Sequence, residues 1–366
     1  MQNKKILIVN PFGIGDVLFT VPMIEAIKTS LRGSYLGYLC NIRSAPILLN
    51  HPRIDKVFIF EKDEYRQLWQ SSRLKCIKRV VEFLKEIKSE RFDTVFDLSL
   101  AREYGLFLKL AGIRERIGYD YRRRGIFLTK KTKLTSGYSE KHMIDYYLEL
   151  LKFTNVEKPK EPVLNLAISQ ESKKDAKDIL ESNDISSNET FITLAPGGGA
   201  SWGGTSFRKQ WPKEKFAELT TLLCNRGAEK VLLLGGYDDS PICDYIKKRE
   251  SRCINLCGKT DLLTFIAIVG DSRLLVTNDG GPLHIGVAAG IKTVSIFGPV
   301  DERVYGPYRS GDEHSVVVNN DIDCRPCYKR FKIKDCQHRN CLEDISVEEV
   351  AKEAKSQLKS LERINK

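Results

Sequence analysis

Short apolar runs separated by longer amphipathic stretches set the rhythm of this chain. Ile6-Leu7-Ile8-Val9, Phe92 to Leu98, Phe191-Ile192-Thr193-Leu194, Val231-Leu232-Leu233-Leu234, Leu274-Leu275-Val276 and Thr293 to Phe297 are apolar or β-branched but for Asp93, Asp97 and Ser295. Such runs mark parallel strands covered on both faces. Tyr38-Leu39-Cys40 and a segment between Ile54 and Phe60 add shorter strands. Between the runs lie helical patterns. Ile24, Ile27 and Leu31 share one stripe, as do Ile77, Val80, Val81, Leu84 and Ile87, while Gln170 to Leu180, Lys213 to Arg226 and Ser346 to Leu361 are charged amphipathic helices. This alternation predicts an α/β architecture. Val156 to Pro162, with two prolines and four charged residues, breaks it and reads as a linker.

The polar residues that follow the strands carry the candidate chemistry. Asn278-Asp279-Gly280-Gly281 tolerates a tight turn, Pro282 suits a first helical position, and Gly286, Ala288 and Ala289 let that helix lie close to its sheet. A helix start of this kind presents unpaired N–H groups and a positive dipole end, so an anion suits it. After Leu194 the chain runs Ala195-Pro196-Gly197-Gly198-Gly199-Ala200-Ser201-Trp202-Gly203-Gly204, a glycine loop that predicts phosphate binding, with Ser201, Thr205 and Ser206 as hydroxyl donors and Lys209 as a point charge for a diphosphate. Asp238 or Asp239 is placed to accept from ribose hydroxyls or to cap the next helix.

In the first half, Val9 opens into Asn10-Pro11-Phe12-Gly13-Ile14-Gly15-Asp16. A dinucleotide fingerprint is not met, because Leu18 stands at the third glycine and strand two ends in Asn41 rather than an acid. Asp16 reads either as a helix N-cap or as a carboxylate at a sheet's carboxyl edge, able to deprotonate a hydroxyl nucleophile. Arg114-Glu115-Arg116-Ile117-Gly118-Tyr119 and Arg122-Arg123-Arg124 form a basic segment, either a solvated charge run or a cradle for phosphate or carboxylate. His142 reads as a satisfied structural histidine.

Composition bounds the rest. A chain of 366 residues calls for two domains, and 59 Lys and Arg against 48 acids give a net charge of +11, which suggests anionic partners. No stacking aromatic array accompanies the basic segment, so nucleic acid is not expected. The absence of a long apolar stretch or signal-peptide core predicts a cytoplasmic protein, and its ten cysteines read as thiols or metal ligands. Cys324-x2-Cys327, Cys336 and Cys341, with His338 nearby, fit either reduced thiols in a compact subdomain or structural zinc.

These motifs, in order, resemble glycosyltransferase family 9, the ADP-heptose:lipopolysaccharide heptosyltransferases. The resemblance rests on Ile6 to Val9 with Gly15-Asp16, Arg91-Phe92-Asp93 with Asp97-Leu98, Arg116-Ile117-Gly118-Tyr119, Pro196-Gly197 with Lys209-x-Trp211-Pro212, and Asn278-Asp279-x-Gly281-Pro282-x-His284 with Phe297-Gly298-Pro299. It implies a GT-B fold of two Rossmann-like domains facing an interdomain cleft. Residues 1–162 would bind acceptor and 163–345 nucleotide sugar, with a helix over 346–366 packing back on the first domain. The resemblance puts Asp16 on the catalytic base, Lys209 on the phosphate-binding lysine, and Asp279, Gly280, Gly281 and His284 on the donor loop. Asp238 matches the acid near the donor ribose. Gly15, Arg116, Arg122 and Arg123 fall on the acceptor side. Together these imply a monomeric, inverting, cofactor-free enzyme that moves heptose from ADP-heptose to an anionic glycolipid at the cytoplasmic face of the inner membrane. The long glycine loop and Gly280, where a hydroxyl residue is more usual, leave open a UDP-hexose or UDP-N-acetylhexosamine donor. A non-catalytic nucleotide-sugar or glycolipid binding protein is the other alternative.

Overall fold

The computed structural model describes residues 4–364 apart from 199, 228, 309, 310, 334 and 337, and the side chains of all of these except 200, 201 and 360–364. The chain divides into two compact units, Met1–Val163 and Leu164–Lys366. The boundary falls at the end of the proline-broken stretch.

The first unit holds one parallel sheet of β1 (Lys5–Val9), β2 (Tyr35–Cys40), β3 (Lys56–Ile59), β4 (Thr94–Asp97), β5 (Glu115–Tyr121) and β6 (Lys130–Leu134), in the order β3-β2-β1-β4-β5-β6. The second repeats the plan with β7 (Phe191–Ala195), β8 (Lys230–Leu233), β9 (Ile254–Asn255), β10 (Leu274–Asn278), β11 (Lys292–Phe297) and β12 (His314–Val318), in the order β12-β11-β10-β7-β8-β9. Each is a doubly wound sheet whose strand order reverses once, between β1 and β4 and between β7 and β10. The crevice outside the carboxyl ends of the strands at that reversal is where open α/β sheets bind ligands.

The central strands β1, β4, β7, β10 and β11 have nearly every residue buried, as their unbroken apolar runs require. In contrast, β6 is an edge strand of sequence Lys-Lys-Thr-Lys-Leu, its lysines only partly covered. Such charge at an edge prevents pairing with a second sheet and also hides the strand from an apolar pattern. The last helix, Val347–Ile364, places Val350, Ala351, Ala354 and Leu358 in the second unit's core with Ile192, Leu194, Trp211 and Phe216. Among the described residues no helix is long and apolar enough to cross a membrane.

Candidate active site

At the second reversal point the loops after β7 and β10 are sewn together by one side chain. Asn278, at the end of β10 and 1% exposed, donates from Nδ2 to the carbonyls of Pro196 at 2.7 Å and Gly197 at 2.9 Å, and its Oδ1 accepts from the Trp211 N–H at 3.0 Å. All three hydrogen-bonding partners of this staple are main-chain groups. Asp239 makes a second tie. Its Oδ1 accepts from Gly198 N–H at 3.3 Å and its Oδ2 from Gly236 N–H at 2.9 Å, joining the glycine loop to the turn after β8. The approach is so close that a Cβ at Gly197 would stand 2.0 Å from Asp239 Oδ1. Only glycine fits there.

Lys209 and Asp279 meet in this frame. Lys209 Nζ lies 2.6 Å from Asp279 Oδ2 and 4.8 Å from the centre of the Trp202 ring, and both partners are buried. Burying two opposite charges together offsets much of the desolvation that either would suffer alone. An arriving anion would find the lysine already positioned over an aromatic face. The helix Gly281–Ala288 begins beside this pair, with Gly280 as its N-cap and His284 one turn in, 4% exposed. Gly280 is extended, so its backbone demands no glycine. Thr205 donates to the Trp202 carbonyl at 2.9 Å and is exposed, shaping its own turn. Asp238 is exposed and makes none of the ties that Asp239 makes, so of the two acids it is Asp239 that organises the loops. The side chain of Ser201 lies outside the described residues.

The first unit uses the same device. Asn10, fully buried at the end of β1, donates from Nδ2 to the Asp16 carbonyl at 2.9 Å, and Asn41 at the end of β2 donates to the Pro11 carbonyl at 3.1 Å and the Phe12 carbonyl at 2.6 Å. Asn41 thus braces the loop from the position where a dinucleotide site would need an acid. Asp16 sits inside the short helix Ile14–Leu18, whose N-cap is Gly13, so it is not the cap; Gly15 precedes it and accepts from the Phe19 N–H at 3.0 Å.

A second carboxylate, Asp97, ends β4 across the reversal point. Its Oδ1 accepts from Ser99 Oγ at 2.6 Å and Ser99 N–H at 3.1 Å, and burial nonetheless pushes its pKa up to about 6. Burial, followed by the nearby Asp16 charge and a smaller contribution from Asp97, drives the Tyr138 hydroxyl pKa well up. The sequence reading quoted Asp97 only as part of a family pattern. A lone acid closing an apolar strand was the available signal.

The arginines part company. Arg116, expected on the acceptor side, is held by main-chain carbonyls. Its Nε donates to the Phe127 carbonyl at 2.6 Å and its Nη1 to the carbonyls of Ile113 and Arg114, so the guanidinium braces the β5–β6 connection. Arg122 and Arg123 follow β5 in left-handed conformations, with φ of 52° and 59°, and stay exposed. They line an open concavity with Asp120, Lys131, Lys133 and Thr135. Asp120 neutralises Lys131 at 2.8 Å and is itself pulled below the usual carboxylate range, first by that lysine. A net positive basin remains on the same sheet edge as Asp16.

A doubly wound sheet that gathers a buried lysine, a glycine loop and a helix start at its reversal point defines a nucleotide-binding α/β protein. The chain belongs to glycosyltransferase family 9 (heptosyltransferase), the family whose pattern matches residues 80–338, and it is a glycosyltransferase. It is 25% identical to the lipooligosaccharide heptosyltransferase 2 of Campylobacter jejuni over 97% of this chain and 99% of that one. Among solved structures it resembles the glycosyl transferase family 9 protein of Veillonella parvula, with a TM-score of 0.80, 23% identity and 98% and 97% of the two chains covered. It also resembles the Escherichia coli ADP-heptose lps heptosyltransferase II, with a TM-score of 0.75, 20% identity and 98% and 99% covered.

Replacing Asn278 by Ala leaves two carbonyls and one N–H buried without their partner, at about 1–3 kcal/mol each. Urea unfolding of Asn278→Ala is expected to lose at least about 3 kcal/mol; a loss below about 1 kcal/mol means that the two loops hold each other without it. For Asp97 the raised pKa fixes a sign. Between about pH 4 and 6 the folded chain keeps a proton that the unfolded chain releases, so stability from this group falls as pH rises through that window. At about 1.4 kcal/mol per pKa unit, Asp97→Asn should gain about 2–3 kcal/mol over the parent at pH 7.5 and almost nothing at pH 4. A difference independent of pH would place the Asp97 ionisation below this range.

Proposed function

We propose that the chain transfers heptose from ADP-heptose to a hydroxyl of a lipopolysaccharide core or related surface glycan, with inversion at the anomeric carbon. The observation that carries this reading is the buried Lys209–Asp279 pair beside a helix start at a doubly wound sheet's reversal point, taken with similarity to enzymes named for that transfer.

In this reading the acceptor oxygen attacks the anomeric carbon while its proton passes to the Asp16 carboxylate. The bond from that carbon to the diphosphate oxygen breaks, and its electron pair stays on ADP. The charge growing on the diphosphate is met by Lys209, whose position over Trp202 is fixed in advance, and by the N–H groups at the start of Gly281–Ala288. His284, buried in that first turn, donates to the same oxygens. Arg122, Arg123, Lys131 and Lys133 hold the anionic groups of the acceptor. Because the acceptor is a glycolipid, the enzyme works peripherally at the cytoplasmic face of the inner membrane.

Asp16→Asn should keep its thermal shift with ADP while turnover falls about 100- to 10,000-fold; near-parent turnover removes Asp16 as the base. Lys209→Ala should weaken the shift given by ADP more than the shift given by adenosine, and equal losses exclude a phosphate role. Within a panel of ADP, UDP, GDP and CMP, ADP is expected to stabilise the parent most. A larger shift with UDP would favour a UDP-hexose or UDP-N-acetylhexosamine donor, which the Gly280 position leaves room for.

A further inference from the structure

The stretch from Asn319 to Ser346 lacks a core of its own. Its regular structure is a hairpin of β13 (Tyr328–Lys329) and β14 (Lys332–Ile333) and the one-turn helix Asn340–Glu343, and among its described residues only Leu342 and Ile345 are buried. Segments this poor in apolar burial hold their shape only when stapled, by disulfides or by a metal. This one carries four cysteines.

Cys324 and Cys327 precede the hairpin, Cys336 follows it, and Cys341 lies in the one-turn helix. All four side chains line a single cavity together with His338. Four sulfurs facing one space are the donor set of a tetrahedral thiolate site, in which the ion replaces the thiol protons. Two separate disulfides would instead leave the sulfurs as two pairs.

We propose that Cys324, Cys327, Cys336 and Cys341 bind one thiophilic metal ion of the zinc class, and that the loaded knuckle fixes the donor loop. Among the described residues no three potential ligands already stand at coordination distance, so loading draws the sulfurs inward to about 2.3 Å from the ion by rotation of side chains that already face the cavity.

The knuckle is fastened to the nucleotide side of the unit at several points. Cys327 and Tyr328 both donate their N–H to the Pro299 carbonyl at 3.0 Å, and Arg325 Nε donates to the Gly298 carbonyl at 2.8 Å. Arg339 Nη1 donates to the Phe207 carbonyl at 2.8 Å, and Arg208 pairs with Asp335 at 2.8 Å. Next to the first cysteine pair, the Tyr328 ring packs on Trp202 with centroids 4.9 Å apart, and Trp202 carries Lys209 on its face. A path of direct contacts therefore runs from the thiolates to the lysine at the donor site.

The full-length chain, purified without added metal, should carry about one equivalent of zinc or another thiophilic first-row ion by elemental analysis. The double variant Cys324→Ser, Cys341→Ser should carry less than about a tenth of that. Because that variant can also misfold, a second measurement uses the parent chain stripped by a chelator under reducing conditions and titrated with Co2+. A sulfur-to-cobalt charge-transfer band with tetrahedral d–d absorption, saturating at one equivalent, is the expected result. Absence of metal together with four maleimide-reactive thiols, or disulfides among these cysteines by mass spectrometry, overturns the proposal. Neither measurement involves a nucleotide, so failure here leaves the heptose-transfer reading untouched, and failure of the ADP shift leaves the metal site untouched. Their coupling has its own readout: stripping the metal should diminish the ADP thermal shift, and an unchanged shift would dismiss the claim that the knuckle fixes the donor loop.

Discussion

The donor side of this enzyme depends on a buried amide. Asn278 ends a strand whose own backbone is already paired in the sheet, and its side chain then satisfies two carbonyls and one N–H in the neighbouring loops. Buried main-chain groups with no partner are costly, so loops that leave a sheet edge without regular structure need such an internal substitute for a ladder. An amide suits the task because it offers donors and an acceptor at once. Aspartate in its place would offer acceptors to two carbonyls. The glycine loop is thus fixed at its root, and Lys209 follows from a segment whose beginning and end are both held.

The same logic appears in the first unit with different residues. Asn10 and Asn41 hold the loop that carries Asp16, and Arg116 holds the connection that leads into β6. Both units therefore brace the segments that leave the carboxyl ends of their strands with side-chain hydrogen bonds. Preorganisation of this kind is what allows charge to be stabilised without rearrangement at the moment of reaction.

The sheets and their ligand-binding edges were legible because central parallel strands must be apolar throughout, and the polar residues that follow them are set apart by contrast. Strand β6 was not legible, since an edge strand of lysines carries no apolar signal. The final helix was correctly read as amphipathic, but amphipathicity says only that a face is buried, not against which partner. Within the site, the residue types on the donor loops were readable, whereas the pairing of Lys209 with Asp279, which are separated by about 70 positions, arises only from the sheet's topology. The basic segment shows the limit most clearly. Arg116 and Arg122 are alike in sequence, yet one is consumed by carbonyls and the other faces solvent.

The contrast in exposure between the two cationic features has a consequence for how the enzyme answers its ionic surroundings. Lys209 is 8% exposed and lies against an acid and an indole, where mobile ions hardly reach. Arg122 and Arg123 stand in open solvent, where the Debye length shrinks from about 10 Å at 0.1 M salt to about 3 Å at 1 M. Salt therefore screens the exposed arginines long before it weakens the buried Lys209–Asp279 pair. Under the proposed assignment of the two features, ionic strength becomes a dial that separates recognition of the acceptor from recognition of the donor.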